Sequence, residues 1–282
     1  MKLLGIVVTY YPDKDTEVNI SSYLNELDTL IVWANTPLQD QGKFRIRLAE
    51  GNTTIVHMGT GENVGIGEAL NQAVKYGIDN GFSHLLTMDQ DSYFDDGMFQ
   101  QYIDTIECIN DPECMAFEVG EDNAKSEESY SYSTGFKTSG TIHPLIIFKN
   151  IGLFRADFFI DAIDCEFSSR IKRYGYKIIR INKITMHHSL GYPLEYIFLG
   201  KKRWSPNYSA FRTYYLSRNY FVLNKIYSKE EYEGFKWFLK SYCFWRPIAI
   251  LWAEKDKFRK LKALARGVYH GLLGKTGKLQ TE

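Results

Sequence analysis

An α/β fold is predicted by this sequence, with a mostly parallel sheet, helices on both of its faces and a helical extension at the C-terminus. Through residues 1–110, short β-rich apolar runs alternate with segments of helical periodicity, a rhythm typical of parallel sheets. From residue 208 onward the apolar spacing is helical. At 282 residues the chain is long enough to bury a sizeable core. We expect an α/β domain over residues 1–200 and the extension over residues 201–282.

The predicted elements follow one another in a regular order. Strands are predicted where β-rich apolar residues run together, at 3–8, 29–33, 54–58 and 82–88. Helices are predicted where apolar residues recur three and four positions apart, at 16–27, 65–76 and 98–109. The middle of the chain is less regular, with a polar, acidic loop at 118–133, a β-like run at 142–148, a helix at 164–174 and a strand at 176–181.

The composition argues against several classes of protein. The chain carries 34 basic and 34 acidic residues, whereas a nucleic-acid-binding domain would be strongly basic, so we expect no nucleic-acid partner. Its four cysteines have neither the spacing of a zinc site nor the density of a disulfide framework. The apolar run at residues 3–8 is too short to span a membrane and is followed by no cleavage site, which predicts a cytoplasmic protein.

Two carboxylates follow the apolar strand at 82–88. Asp89 and Asp91 stand two residues apart, and in an extended segment such side chains project the same way. Open α/β sheets bind ligands at the carboxyl ends of their strands. Carboxylate oxygens suit Mg²⁺ or Mn²⁺, which commonly hold substrate phosphates. The pattern therefore predicts a metal bridge to a nucleoside diphosphate, with a solvated acidic loop as the alternative.

Further polar motifs follow the predicted elements in order. They are Thr9-Tyr10, Asn35, the segment from Asn63-Val64-Gly65 to Asn71, Asp89-Gln90-Asp91, the acidic segment with Asp161, Asp164 and Glu166, and His187-His188-Ser189-Leu190-Gly191. In this order the set resembles the inverting glycosyltransferases of family 2, which have the nucleotide-sugar-binding GT-A fold. Within that family it is most similar to the bacterial rhamnosyltransferase-type enzymes of surface-polysaccharide assembly. The resemblance covers roughly residues 3 to 275 and implies that residues 1–200 form a GT-A catalytic domain.

The resemblance implies a role for each motif. Asp89, Asp91 and His188 would hold Mn²⁺ or Mg²⁺, and Asp164 would be the catalytic base. Arg218, in a Tyr-Tyr-x-x-Arg-Asn helix common in this subgroup, would neutralise the leaving diphosphate. The residues expected to bind the nucleotide sugar are Thr9, Tyr10, Asn35, Asn63, Gly65, Asn71, Asp89, Ser139, Gly140 and Arg218.

Several of these assignments have alternatives. The family usually has Asp-Asn after the second strand, and here Ala34 replaces the Asp; the amide oxygen of Asn35 is able to accept the same hydrogen bond, which leaves the bound base open. Carboxylates near a helix start also serve as caps, so Asp161 and Glu166 compete with Asp164. Of the two adjacent histidines we choose His188, because the family pattern is His-x-x-Gly. Arg218 could instead pair with a surface carboxylate.

The chemistry of sugar transfer agrees with these residue types. A leaving diphosphate gains charge that a carboxylate-bound cation stabilises, and the acceptor hydroxyl must give its proton to a carboxylate. The resemblance implies transfer of rhamnose from dTDP-rhamnose to a glycan or polyprenyl-linked acceptor, with a UDP-sugar (galactosyl or glucosyl) transferase or a non-catalytic nucleotide-binding module as alternatives. A dinucleotide fingerprint is disfavoured by Val64, which stands where glycine is needed. An Asp-nucleophile phosphatase is disfavoured by Tyr93.

The C-terminal segment 242–252 is aromatic, apolar and too short to span a bilayer. Basic residues follow it, at Lys255, Lys257, Arg259, Lys260, Lys262 and Arg266. Aromatic and basic faces together describe an interfacial helix on an anionic membrane, and the alternative is a core helix with a solvated basic face. We expect peripheral contact with the inner face of the cell membrane.

Overall fold

The computed structural model describes residues 1–42, 46, 48, 51–120, 127–188, 193–232 and 234–280. Ser189, Leu190 and Gly191 of the histidine motif therefore lie outside the described residues, as do residues 121–126 of the predicted acidic loop. The strands are β1 (Leu3–Thr9), β2 (Thr29–Ala34), β3 (Thr54–Met58), β4 (His84–Asp89), β5 (Ser92–Tyr93), β6 (Cys114–Val119), β7 (Tyr130–Ser133), β8 (Thr141–Pro144), β9 (Lys177–Ile181), β10 (His187–His188), β11 (Leu194–Phe198) and β12 (Lys201–Ser205).

The helices include the three predicted in the first half and a helical C-terminal part. Short 3₁₀ turns at Leu24–Glu26 and Ala156–Phe158 and a π-helical stretch at Leu239–Trp245 supplement them. The α-helices are α1 (Thr16–Ser21), α2 (Leu38–Gln41), α3 (Ile66–Asp79), α4 (Met98–Glu107), α5 (Ile146–Ile151), α6 (Ile163–Arg173), α7 (Ala210–Ile226), α8 (Phe235–Phe238), α9 (Arg246–Trp252) and α10 (Lys257–Leu272).

The main sheet confirms the predicted α/β class with a mostly parallel sheet. Its strand order is β3-β2-β1-β4-β8-β6-β9-β7. The pairs β3–β2, β2–β1, β1–β4 and β6–β9 are parallel, whereas β8 is antiparallel to both neighbours and β7 is antiparallel to β9. In the parallel part Thr9 is in register with Ala34, and Val8 with Asp89. The carboxyl ends of β1, β2 and β4 therefore meet at one edge of the sheet.

The core beneath this edge combines aliphatic strands with aromatic helices. Leu3 and Val7 of β1 are buried together with Phe99 and Tyr102 of α4. On α3, a Cβ at Gly67 would lie 2.9 Å from the Cα of Ala156, so glycine permits direct backbone contact there. Burial of apolar surface contributes roughly 25 cal/mol per Å² to the free energy of folding, and this packing holds the strand ends in place.

Two sequence predictions for the middle of the chain are wrong. The loop predicted at 118–133 is bounded by strand residues, because β6 continues to Val119 and β7 begins at Tyr130; the charge of Glu118 is tolerated inside β6 because Arg180 of β9 pairs with it at 2.8 Å. The strand predicted at 142–148 ends early, and α5 begins at Ile146. Pro144 has no N–H to extend the ladder, which accounts for the break.

The chain divides into two compact units. One contains Met1–Ala156 and Arg170–His188, and the other contains Asp157–Ser169 and Ser189–Glu282. The proposed boundary between a catalytic domain and an extension near residue 200 stays a prediction; the second unit also includes the acidic segment and the unpredicted hairpin of β11 and β12. Among the residues that the structure describes, no helix combines the length and the apolar character needed to cross a bilayer.

Candidate metal and nucleotide-sugar site

Three potential metal ligands meet at the carboxyl end of β4. Asp89, Asp91 and His188 each place a ligand atom within 4.8 Å of the other two. The carboxylates are brought together by the two-residue spacing at the strand end, and His188 arrives through the antiparallel pairing of β10 with β5. His188 Nδ1 lies 3.5 Å from Asp91 Oδ1. The structure therefore brings together the three residues that the resemblance assigned to the metal.

Two serine hydroxyls connect Asp89 to His188 through a chain of hydrogen bonds beneath the metal cluster. The main-chain N–H of Asp89 donates to Ser139 Oγ at 3.0 Å, and the Ser139 hydroxyl donates to Ser92 Oγ at 2.8 Å. Ser92 Oγ is in turn 2.8 Å from Nδ1 of His188. Both serines are buried. Because buried hydroxyls fix the ring they contact, this chain orients the imidazole beside Asp91.

The donor set of this cluster fits Mn²⁺ or Mg²⁺. Two carboxylates and an imidazole are ligands that Mn²⁺ accepts, and Mg²⁺ takes one or two carboxylates together with water and phosphate oxygens. His187 does not join it, because its ring stacks on Tyr93 and its Nε2 lies 3.1 Å from Asp95 Oδ1.

We expect Ser92→Ala to weaken Mn²⁺ binding about 10–100-fold, the usual effect of losing a partner of a metal-ligating histidine. The change removes the hydroxyl that holds His188 and leaves all three ligands in place. Isothermal titration of the variant with Mn²⁺ measures the effect, with Ser21→Ala, on the exposed side of α1, as the matched control. An unchanged affinity would show that Ser92 does not orient the ligand.

The first two predicted nucleotide-binding residues flank the metal cluster at the neighbouring strand end. Thr9 is buried and its hydroxyl donates to the carbonyl of Trp33 at 3.0 Å, whereas the side chain of Tyr10 is exposed. The N–H of Tyr10 donates to Gln90 Oε1 at 2.7 Å, and Asn19 donates to the carbonyl of Gln90 at 3.0 Å. Gln90 therefore ties the loop after β1 to the segment that carries both aspartates.

Asn35 holds a loop at the end of β2. It is buried, and its Oδ1 accepts hydrogen bonds from the Trp33 indole at 3.0 Å and from the N–H of Val64 at 3.3 Å. Its Nδ2 donates to the carbonyl of Gly65 at 3.1 Å. Both ends of the amide therefore bind the chain itself, and the contact of Asn35 with the base stays a prediction.

The loop that Asn35 fixes opens α3. Asn63 Oδ1 accepts the N–H of Gly65 at 2.9 Å, and Gly65 has a φ of 84°, a left-handed conformation that glycine adopts without strain. These two residues are placed as predicted, ahead of a helix N-terminus. Asn71 is different: it is buried and exchanges two hydrogen bonds with the main chain of Phe154, at 3.0 and 2.9 Å. Asn71 therefore links α3 to the segment that precedes the Ala156 turn, and its contact with the nucleotide sugar stays a prediction.

Ser139 and Gly140 also act within the protein. Ser139 belongs to the hydroxyl chain beneath the metal cluster. Gly140 is buried at a φ of 81°, and a Cβ there would lie 2.9 Å from the sulfur of Met186. Ser139 therefore supports the cluster, and Gly140 is a glycine because the space beside it is filled; their contacts with a sugar stay predictions.

In the second unit, the three candidate base carboxylates have different surroundings. Asp161 pairs with Arg212, with Oδ1 2.9 Å from Nε, and Glu166 is buried and accepts the Tyr227 hydroxyl at 2.5 Å. Asp164 is partly exposed and accepts only the N–H of Cys165, at 2.8 Å, among the hydrogen bonds described for its side chain. Loss of water raises the pKa of the Asp164 carboxyl above its ordinary value, against the opposing effects of that N–H and of Arg212. A base with a raised pKa accepts a proton more readily.

The backbone before Asp164 is strained and is held by a buried pair of side chains. Phe159, Asp161 and Ala162 all have positive φ, at 68°, 65° and 62°, which costs of order 1 kcal/mol or more for each non-glycine residue. Arg218 donates to the carbonyls of Asp157, Phe158 and Gly277, and Asn219 donates to those of Phe158, Ile160 and Asp161.

Arg218 is buried among groups of the chain itself. The side chain is 1% exposed and its guanidinium lies over Tyr215, so it pairs with no surface carboxylate, and its contact with a leaving diphosphate stays a prediction. Arg218 and Asn219 are positioning residues for the segment that carries Asp164.

Ser92, Gln90 and Asn219 are the residues that the sequence analysis left without a role. Each contacts residues that are distant in sequence. Ser92 contacts His188, 96 positions away, and Asn219 contacts Ile160, 59 positions away. Gln90 contacts Asn19 and Tyr10, 71 and 80 positions away. Their one signal in the sequence is adjacency: Ser92 and Gln90 adjoin the aspartates, and Asn219 completes the Arg-Asn pair.

Comparison with known proteins agrees with this fold. No model of a known protein family matches the chain. It is 25% identical to the dTDP-rhamnosyl transferase RfbF of Shigella flexneri, over 78% of this chain and 79% of that protein. It resembles S. aureus TarS with a TM-score of 0.53 and 16% identity, over 96% of this chain and 49% of that chain. With TarS 1–349 in complex with UDP-GlcNAc the TM-score is 0.51 at 16% identity, over 96% of this chain and 81% of that chain.

The chain has the fold of TarS, with a mostly parallel sheet whose strand ends carry the cluster of Asp89, Asp91 and His188. The chain spans about half the length of full TarS. The ordered motifs and the curated relative both make the chain similar to bacterial rhamnosyltransferases.

Proposed function

We propose that this protein transfers a hexosyl or deoxyhexosyl unit from a nucleoside diphosphate sugar to a glycan acceptor, with inversion at the anomeric carbon. The observation that carries the proposal is the cluster of Asp89, Asp91 and His188 at the carboxyl edge of the parallel strands. This is where open α/β sheets bind ligands, and a carboxylate-held cation suits a diphosphate. When bound, Mn²⁺ or Mg²⁺ would neutralise charge that develops on the leaving diphosphate.

Asp164 is the base in the proposed reaction. The acceptor oxygen bonds to the anomeric carbon, the bond from that carbon to the diphosphate oxygen breaks, and the hydroxyl proton passes to the Asp164 carboxylate. One displacement of this kind inverts the anomeric centre. The exposure of Asp164 and its raised pKa favour it over Asp161 and Glu166, which other side chains occupy.

The proposed donor is dTDP-rhamnose, because the S. flexneri relative is a dTDP-rhamnosyl transferase. A UDP-sugar is the second candidate, because TarS 1–349 was solved with UDP-GlcNAc. The proposed acceptor is a glycan or a polyprenyl-linked glycan of bacterial surface-polysaccharide synthesis. We place its transfer at the inner face of the cell membrane, where a cytoplasmic donor and a lipid-linked acceptor meet, and we propose peripheral contact there.

Screening nucleotide sugars tests this function. The protein with Mn²⁺ is mixed with dTDP-rhamnose, UDP-glucose, UDP-galactose, UDP-GlcNAc or NAD(H), and thermal stabilisation and release of the nucleoside diphosphate are measured. We expect stabilisation and turnover with dTDP-rhamnose, and loss of turnover in Asp164→Asn. Turnover of a UDP-sugar alone selects the second candidate. Stabilisation without turnover indicates a binding module, and stabilisation by NAD(H) alone contradicts the proposal.

A further inference from the structure

The hairpin of β11 and β12 has an unusual residue at its tip. A two-residue loop, Leu199-Gly200, joins the strands, and its φ angles of 50° and 71° are those of a type I′ turn. Such turns favour Asn-Gly, since asparagine tolerates the left-handed region and leucine does not. Leu199 therefore costs folding free energy at this position.

Packing within the chain does not compensate for this cost. Leu199 is 85% exposed, the largest exposure recorded among the large apolar side chains in the described part of the chain. A leucine that is disfavoured by its backbone conformation and gains nothing from burial is explained most simply by a contact outside the chain.

One face of the hairpin extends the apolar surface from the tip. Ile197 and Trp204 are 67% and 61% exposed, and cross-strand pairing sets them opposite Lys202 and Glu195, which pair with each other at 2.7 Å. Lys201, which follows the tip directly, is also exposed. Aromatic and aliphatic side chains next to lysines are the composition of a surface that lies at an anionic bilayer, where the lysine stems run along the apolar part and their charges reach the headgroups.

The other face of the hairpin is fixed to the C-terminal helices. Phe198 packs edge-on against Trp245 and Trp252, with ring centroids 6.5 and 5.4 Å apart, and the Arg203 guanidinium lies 4.0 Å from the Trp245 ring centroid. These contacts with Trp245 and Trp252 therefore hold the hairpin in place. Trp252 itself is exposed on its free side, as is Leu251 beside it.

Of the two acidic residues after α9, Glu254 is buried, whereas Asp256 is exposed between Lys255 and Lys257, so the exposed residues 255–259 keep a net positive charge. Glu254 is buried and paired with Arg246 and with Lys260, whose Nζ lies 2.7 Å from Glu254 Oε2. Lys255 and Lys257 remain exposed. The basic set expected to meet a membrane is thereby corrected, because Lys260 serves an internal ion cluster, and the surface that remains is positive.

We propose that the hairpin tip, with Leu199 inserted and Lys201 at headgroup level, docks this protein on an anionic phospholipid bilayer. The proposal rests on the peripheral contact included in the proposed function and names the segment that makes it. A second copy of the chain is a poorer occupant, because Lys201 beside the tip would face a like charge. Anionic lipid complements this lysine, at a contribution that falls as salt rises.

Leu199→Asn separates docking from folding. Asparagine is favoured in this turn, so we expect the variant to unfold at the same or a higher temperature than the wild type. We expect its partitioning to vesicles of phosphatidylglycerol and phosphatidylethanolamine, measured by co-sedimentation, to fall about tenfold, since a leucine side chain no longer enters the bilayer. Val18→Asn, which removes an exposed apolar residue of α1, is the matched control and should bind vesicles like the wild type.

A second variant tests the charges at the tip. Lys201→Glu should weaken binding to the same vesicles by about tenfold and reduce its salt dependence, since one charge near the surface contributes on the order of a fivefold change. Equal partitioning of wild type and Leu199→Asn, or equal binding to neutral phosphatidylcholine vesicles, would overturn the proposal. Concentration-dependent dimers that Leu199→Asn abolishes would assign the tip to a second copy instead. Because Asp164→Asn should bind vesicles normally, failure of docking and failure of the proposed catalysis are distinguishable.

Discussion

Asp164→Asn is expected to lower turnover about 10²–10⁴-fold while donor affinity changes little, the range that general-base assistance contributes. Asparagine keeps the shape of the side chain and the acceptor oxygen for the Cys165 N–H, and it removes the site that takes the proton. Initial rates with saturating donor measure the loss, and titration of the donor in the absence of acceptor measures affinity.

The neighbouring carboxylates provide the controls. Glu166→Gln retains an oxygen that accepts the Tyr227 hydroxyl, so near-normal turnover is expected. Asp161→Asn leaves Arg212 without its charge partner and should lower stability more than the rate constant of the chemical step. If Asp164→Asn turns over normally and one of these two variants is inactive, the base has been assigned to the wrong residue.

The pH dependence of turnover follows from the same group. The base works only when deprotonated, so turnover falls as the pH falls through its pKa. Burial raises the pKa of Asp164, so the acid limb of the rate profile should lie above the range of an ordinary exposed aspartate. In Asp164→Asn the residual rate should lose this limb. A wild-type limb at or below the ordinary range would contradict the surroundings described for this carboxyl.

Arg218→Met is expected to lower the free energy of unfolding by about 3 kcal/mol or more, because buried carbonyls of the strained segment lose a charged donor. Where the segment still folds, turnover should fall with little change in donor affinity, since Arg218 acts through the position of Asp164. Chemical denaturation and donor titration give the two quantities. Asn219→Ala removes donors to three carbonyls and should lower both the free energy of unfolding and turnover.

A contact with the diphosphate predicts the reverse pattern for Arg218. Donor affinity would fall in Arg218→Met, and the free energy of unfolding would change little. Arg173→Met removes an exposed guanidinium from α6 and serves as the control, with an expected change within about 0.5 kcal/mol. The buried environment of Arg218 favours the first pattern.

Local sequence patterns predicted the parts of this protein that depend on local order. The strand and helix periods of the first half are visible within ten residues, and the two-residue spacing of Asp89 and Asp91 is enough to aim both at one point. The resemblance added His188, which no local pattern connects to the aspartates. The same patterns failed for β6, where a buried glutamate looks like a loop residue until Arg180 is known to lie beside it.

Three of the predicted ligand-binding residues share one feature that the sequence does not show. Asn35, Asn71 and Arg218 are polar residues at motif positions, and the sequence does not show that their hydrogen bonds close on the main chain of the protein itself. A buried polar group must be paired, and its partner is set by the tertiary fold. Polar residues that hold a site in place therefore look, in sequence, like residues that bind the ligand.

Calorimetric titration of dTDP-rhamnose into the wild type and Asp91→Asn, each with Mn²⁺ and with EDTA, tests most directly whether the cluster of Asp89, Asp91 and His188 holds a cation that binds the donor. We expect the wild type to bind the donor with Mn²⁺ and to lose most of that affinity in EDTA. Asp91→Asn, which should fold normally because Asp91 is a surface residue, should bind weakly in both conditions. Donor affinity that is the same in all four titrations would contradict the central claim.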